Sequence, residues 1–101
     1  MQLVITSTAV DDGRETLTLV GAIDLVTRAD LVAAGSAVLS AGRDLALDLS
    51  AVDFIDSTGI GALVELHNIA KAHDAVLLIP ERSVRVERIL EVTGLSGTWM
   101  S

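Results

Sequence analysis

Between Leu45 and Leu63 the spacing of apolar residues changes period, and that switch limits what the chain can become. Leu45, Leu47 and Leu49 alternate with Ala46, Asp48 and Ser50, the period of two of a strand, and the apolar pair Phe54-Ile55 follows after a short break. From Ser57 onward Ile60, Leu63, Leu66 and Ile69 recur at the spacing of one helical face, over a segment reaching about His73. Asp56-Ser57-Thr58-Gly59 joins the two periods. A strand that feeds directly into an amphipathic helix is the unit from which layered α/β domains are built.

The rest of the chain repeats the theme. Leu3–Thr6 and Thr16–Val20 are aliphatic and β-branched and flank the turn-forming Asp11-Asp12-Gly13, so they read as a strand pair. After Gly21 the pattern changes, and Leu31, Ala34, Gly35, Val38 and Leu39 mark a helix over Leu25–Ser40, with Gly42 at its C-terminal cap. Ala75–Ile79 is a continuous apolar run ending at Pro80 and reads as an interior strand. Ser83 is an N-cap for a third helix carrying Val86, Ile89, Leu90 and Thr93, closed by Gly94 with Leu95 set to touch Leu90. Gly97–Met100 reads as one last short strand. Residues 1–101 therefore predict a single α/β domain with a mixed sheet of four to five strands. The first two are antiparallel, the rest mainly parallel with right-handed crossovers, and about three helices pack on them.

Charge and composition narrow the function. Seven basic against 14 acidic residues give a net charge of −7, a field that repels nucleic-acid backbones and anionic lipid surfaces. Phe54 and Trp99 are the only aromatic residues, so base stacking has no platform. Neither nucleic acid nor a membrane is expected as a direct partner. At 101 residues one core is the limit and a deep substrate cavity has little room. The absence of cysteine excludes disulfides and thiol chemistry. The opening MQLVITSTAV has no basic stretch and too short an apolar run for a secretory signal, so the cytoplasm is the expected location. His67 and His73 are six residues apart on one helix, about 240° around its axis, which does not make a metal pair. No phosphate loop, nucleophile elbow or dinucleotide fingerprint occurs, and Asp48, Asp53 and Asp56 lack a base partner. No enzymatic activity, metal or cofactor is expected.

On the residues alone, Asp56 or Ser57 is a helix cap and nothing more is required of Asp56-Ser57-Thr58. Asp24 likewise reads as a cap of the first helix. Gly59 and Gly61 cost the first turns roughly 1 kcal/mol each against alanine, which suggests that another backbone or a partner approaches closely there.

Asp56-Ser57-Thr58-Gly59-Ile60-Gly61-Ala62-Leu63 resembles the Asp-Ser-Ser/Thr-Gly-Leu/Ile-Gly-x-Leu signature of the STAS domain, specifically the bacterial anti-sigma factor antagonists. Gly21-Ala22-Ile23-Asp24 is similar to the family's Gly-Glu-Leu/Ile-Asp step, Leu47-Asp48-Leu49-Ser50 to its central strand, and Val84 through Thr93-Gly94-Leu95 to its late helix. Ala22 stands where that step often carries an acid, which takes one charge from the expected contact surface. The resemblance implies a binding module that captures an anti-sigma factor, usually also a serine kinase, and so frees a sigma factor. It implies phosphorylation at Ser57, reversed by a PP2C-type phosphatase, with Thr58 a lesser acceptor. The partner-binding residues it implies are Asp24, Asp56, Ser57, Thr58 and Gly59, on a protein that is monomeric when free. A different reading of the same domain is a structural module of a signalling or lipid-transport assembly, in which Ser57 is not phosphorylated.

Overall fold

The computed structural model describes residues 2–11 and 13–95. Seven elements follow in the order β1 (Leu3–Val10), β2 (Arg14–Ile23), α1 (Arg28–Ser40), β3 (Asp44–Ile55), α2 (Ser57–Ala72), β4 (Leu77–Arg82) and α3 (Val84–Val92). The four strands form one sheet in the order β1-β2-β3-β4. β1 is antiparallel to β2, and β2, β3 and β4 are parallel. This is the expected mixed α/β architecture. The Gly97–Met100 strand lies outside the described residues.

Parallel pairing carries the chain back across the sheet through a helix each time. α1 and α2 pack on each other and on the sheet, while α3 packs on β3 and β4. Leu31 and Leu39 of α1 and Leu63 and Leu66 of α2 are fully buried with Leu45, Leu47 and Leu49 of β3. Gly35 of α1 packs directly on α2, and a Cβ there would stand 2.7 Å from one Leu66 methyl and 3.0 Å from a Leu45 methyl. A side chain there would require the Leu66 and Leu45 methyls to shift.

Several boundaries differ from the sequence reading. β2 runs through Gly21 to Ile23, because this glycine takes φ +120° and lets the carbonyl of Gln2 lie where a side chain would be. β3 has no break between Leu49 and Phe54; it is continuous for 12 residues and absorbs the irregular spacing as register shifts against β2. α1 begins at Arg28 rather than Leu25 for a reason that belongs to the site described below. Among the described residues β4 lies at the sheet edge rather than in its interior, and it continues through Pro80 to Arg82. Proline is tolerated because Pro80 falls at a shift in the β3–β4 register, where no ladder bond is required of it. Ser83 caps α3 by accepting from the Val86 N–H at 3.2 Å. Gly94 ends it at φ +78°, with the Leu95 N–H donating to the Leu90 carbonyl at 2.8 Å, as a Schellman closure requires.

Because β2, β3 and β4 are parallel, their carboxyl ends share one edge of the sheet. The β2–α1 loop, the β3–α2 junction and the start of α3 therefore gather at the end where open α/β sheets place their functional groups.

Candidate functional site

Asp56 ends β3 and caps α2. Its backbone is extended, and one carboxylate oxygen accepts from the N–H of Thr58 at 3.0 Å, the N–H of Gly59 at 3.1 Å and the hydroxyl of Thr58 at 2.5 Å. The Thr58 hydroxyl holds the Asp56 carboxyl below the usual aspartate range, against partial desolvation, with help from the Gly59 and Thr58 N–H groups. The next amide, that of Ile60, donates to the Asp56 carbonyl. The first turn is thus largely satisfied from within the chain.

The two neighbouring hydroxyls are in different states. Ser57 is exposed, and its side chain makes no hydrogen bond among the described residues. Thr58 is half-buried, with its hydroxyl proton committed to Asp56.

The two glycines also differ. A Cβ on Gly59 would stand 2.7 Å from the Ile23 carbonyl oxygen and 2.7 Å from Cγ1 of Ile55, so another backbone does approach closely there. Gly61 is exposed and has nothing within 4 Å of where its Cβ would be.

The loop that meets Gly59 is built around Asp24 and Thr27. One Asp24 carboxylate oxygen accepts from the N–H groups of Val26 at 2.9 Å and Thr27 at 3.0 Å. The Thr27 hydroxyl donates to the Ala22 carbonyl at 2.7 Å and accepts from the Asp24 N–H at 3.0 Å. Asp24 does act as a cap, but of a turn that precedes the helix, and Thr27 is the N-cap residue. This turn occupies Leu25 and Val26, which is why α1 starts three residues late. It also holds both apolar side chains out in solvent, Leu25 71% and Val26 80% exposed. Ala22, by contrast, is 2% exposed, so that position faces the interior and takes no charge from the surface.

The loop and the α2 terminus are held side by side. Ile23, just before the loop, meets Gly59, and Arg28, just after it, reaches across to α2. The Arg28 Nε donates to the Thr58 carbonyl at 3.4 Å, and its Nη2 pairs with Glu65 at 3.0 Å. Asp56, Ser57, Thr58 and Gly59 therefore share one corner with the Asp24 loop. No hydrogen bond joins Asp24 to Ser57 among the described residues. On α2, Ser57, Gly61 and Glu65 follow one another at four-residue steps along one exposed stripe, with Val64 beside them.

Thr27, Leu25, Val26, Arg28 and Glu65 went unseen in the sequence. An Asp with a Thr three residues on is a turn signal that could have marked the loop. The Arg28–Glu65 pair has no local signal, since 37 positions separate the two. Elsewhere, an open groove of about 590 Å³ is lined by Ser50–Asp53 together with Ser83, Val84, Arg85 and Arg88. Among the described residues no cluster of three or more His, Asp or Glu could hold a metal ion, and no helix is long and apolar enough to cross a membrane.

Comparison with known proteins gives this corner a context. A family model described as "Mlab, STAS domain" matches residues 6–100. An anti-sigma factor antagonist from Mycobacterium paratuberculosis superposes with a TM-score of 0.80 at 27% identity, covering 97% of this chain and 83% of that one. The anti-sigma factor antagonist SpoIIAA in its unphosphorylated form gives 0.80 at 19% identity, covering 97% and 86%. The Bacillus cell fate determinant SpoIIAA in its phosphorylated form gives 0.75 at 19% identity, covering 97% and 89%. Comparison with the curated proteins finds no match.

Proposed function

The chain belongs to the STAS-domain family, and from that premise we propose that it is an anti-sigma factor antagonist, a cytoplasmic binding module that performs no chemistry itself. Unphosphorylated, it captures an anti-sigma factor that is also a serine kinase, and a sigma factor is released. Phosphorylation of Ser57 ends capture, and a PP2C-type phosphatase restores it. The contact surface comprises Asp24, Asp56, Ser57 and Thr58, with the buried Gly59 holding the two segments together beneath it, and is widened by Leu25, Val26 and the flat stripe of α2 at Gly61.

The observation that carries this reading is the contrast between the two hydroxyls. Ser57 is exposed and uncommitted at the first helical position, whereas the Thr58 hydroxyl is bonded to the cap. A kinase can take Ser57 into its active site without undoing the helix start. Modification adds about 1.5 to 2 negative charges at neutral pH. Against a partner seated on Leu25 and Val26, that charge has to lose water beside Asp56, where one like-charge contact near 4 Å costs about 4 kcal/mol at an effective dielectric of 20. Half of that weakens binding by more than tenfold.

The test is intact-mass and peptide mapping of the protein from its native cells, with and without phosphatase, alongside a Ser57→Ala variant. One removable phosphoryl group on Ser57 is expected. Ser57→Ala should hold the partner constitutively and Ser57→Asp should fold but fail to hold it. A chain that stays unmodified across growth conditions while keeping stable partners would sink the switch and favour the structural module.

A further inference from the structure

A phosphoryl group on Ser57 would find three amides of the first turn, those of Thr58, Gly59 and Ile60, already taken. One Asp56 carboxylate oxygen holds the Thr58 and Gly59 N–H groups, and the Ile60 N–H is bonded to the Asp56 carbonyl. Asp56 and Glu65 add negative charge on either side, in a protein of net charge −7. Some other group has to answer a dianion at this corner.

We propose that Arg28 is the receptor for the phosphoryl group on Ser57, and that taking it up breaks the Arg28–Glu65 pair. The proposal rests on the reading of Ser57 as a phosphorylation site. Arg28 is the one cation whose hydrogen bonds, among the described residues, reach the first turn of α2, through the carbonyl of Thr58, the residue next to Ser57. Its guanidinium spans the flank of the stripe on which Ser57, Gly61 and Glu65 succeed one another. Gly61 lies between the two ends with open space at its Cβ position, so no side chain there separates Ser57 from the guanidinium. Packing explains Gly59 but not Gly61, and this path gives Gly61 a use.

The present partners of Arg28 are ones it can give up. The bond to Thr58 is at the long limit for N–H···O, and the Glu65 pair is solvent-exposed, a class of ion pair that contributes little. A phosphate dianion offers twice the charge and a geometry that a guanidinium fork matches with two parallel bonds. Phosphorylation then frees Glu65 and moves Arg28 toward Ser57. The exposed face of α2 is rewritten over two turns rather than at one side chain.

The experiment uses the full chain with phosphoserine inserted at position 57 during translation, so that it does not depend on any kinase, and follows the phosphate by ³¹P NMR against pH at low salt. Arg28→Ala should raise the second phosphate pKa by about one pH unit, the low end for an acid losing an arginine neighbour. Glu65→Gln, which removes the competitor, should lower it, and Arg14→Ala, at the far end of the sheet, should leave it unmoved. If Arg28→Ala fails to fold by circular dichroism, Glu65→Gln and Arg28→Lys decide, the lysine giving a value above that of the parent. Equal pKa values in the parent, Arg28→Ala and Glu65→Gln would overturn the assignment, as would equal shifts from Arg28→Ala and Arg14→Ala. A Ser57 never phosphorylated in cells would instead defeat the functional reading, whatever the titration shows.

Discussion

The hydroxyl of Thr58 donates to the carboxylate of Asp56 across 2.5 Å, two residues apart at the start of α2. The bond makes the cap carboxylate more acidic and removes Thr58 from the set of available hydroxyls.

A pH effect follows from that bond. With its folded value below the ordinary one near 3.9, the ionised Asp56 cap contributes stability that is present above about pH 4 and is lost as pH falls through the lower folded value. Thr58→Val removes the largest cause of the lowering. The Asp56 carboxyl should then titrate closer to 3.9 in an NMR titration, and the cap's contribution should be gone at a higher pH than in the parent. An unchanged titration would show that the backbone amides alone set the value.

The two glycines of α2 should respond with opposite signs. Gly59→Ala forces a methyl against the Ile23 carbonyl and Ile55 and should cost about 1–3 kcal/mol. Thermal unfolding should show it as a fall of about 4–8 °C per kcal/mol. Gly61→Ala meets nothing and should stabilise the helix by about 0.5–1 kcal/mol. A destabilised Gly61→Ala would contradict the open space at that position.

Thr27 is the buried polar pivot of the Asp24 loop, at 4% exposure. Thr27→Val keeps the shape but leaves the Ala22 carbonyl and the Asp24 N–H without the hydroxyl, at a cost of about 1–3 kcal/mol in urea unfolding. Thr27→Ser should recover most of the loss. If both variants are equally unstable, the methyl rather than the hydroxyl matters.

Leu25 and Val26 spend their apolar surface on solvent, so replacing both with serine should change unfolding free energy by no more than about 0.5 kcal/mol. Burying such side chains against a partner is worth about 1.5–3 kcal/mol each. Binding to the partner recovered with Ser57→Ala should therefore weaken at least about tenfold in calorimetry. Unaltered affinity would remove the loop from the contact surface.

The sequence by itself determined the element order, because a period of two and a period near 3.6 are imposed by the geometry of single elements and are written in consecutive residues. Leu45-Ala46-Leu47 and Ile60, Leu63 and Leu66 declare their strand and helix without help, and Asp56-Ser57 declares that a cap is present without saying which of the two supplies it. What reached beyond neighbours was decided only in three dimensions. Pro80 reads as the end of an interior strand until β4 is seen, among the described residues, at the sheet edge, where a missing N–H costs nothing. Gly59 and Gly61 are alike in the sequence and are separated only by whether Ile23 lies against them. Ser57 and Thr58 are adjacent hydroxyls, yet the turn geometry of one Asp56 oxygen commits one and leaves the other in solvent. Arg28 meets Glu65 because α1 packs on α2, and a contact across 37 residues is a property of the packing that leaves no trace in local spacing.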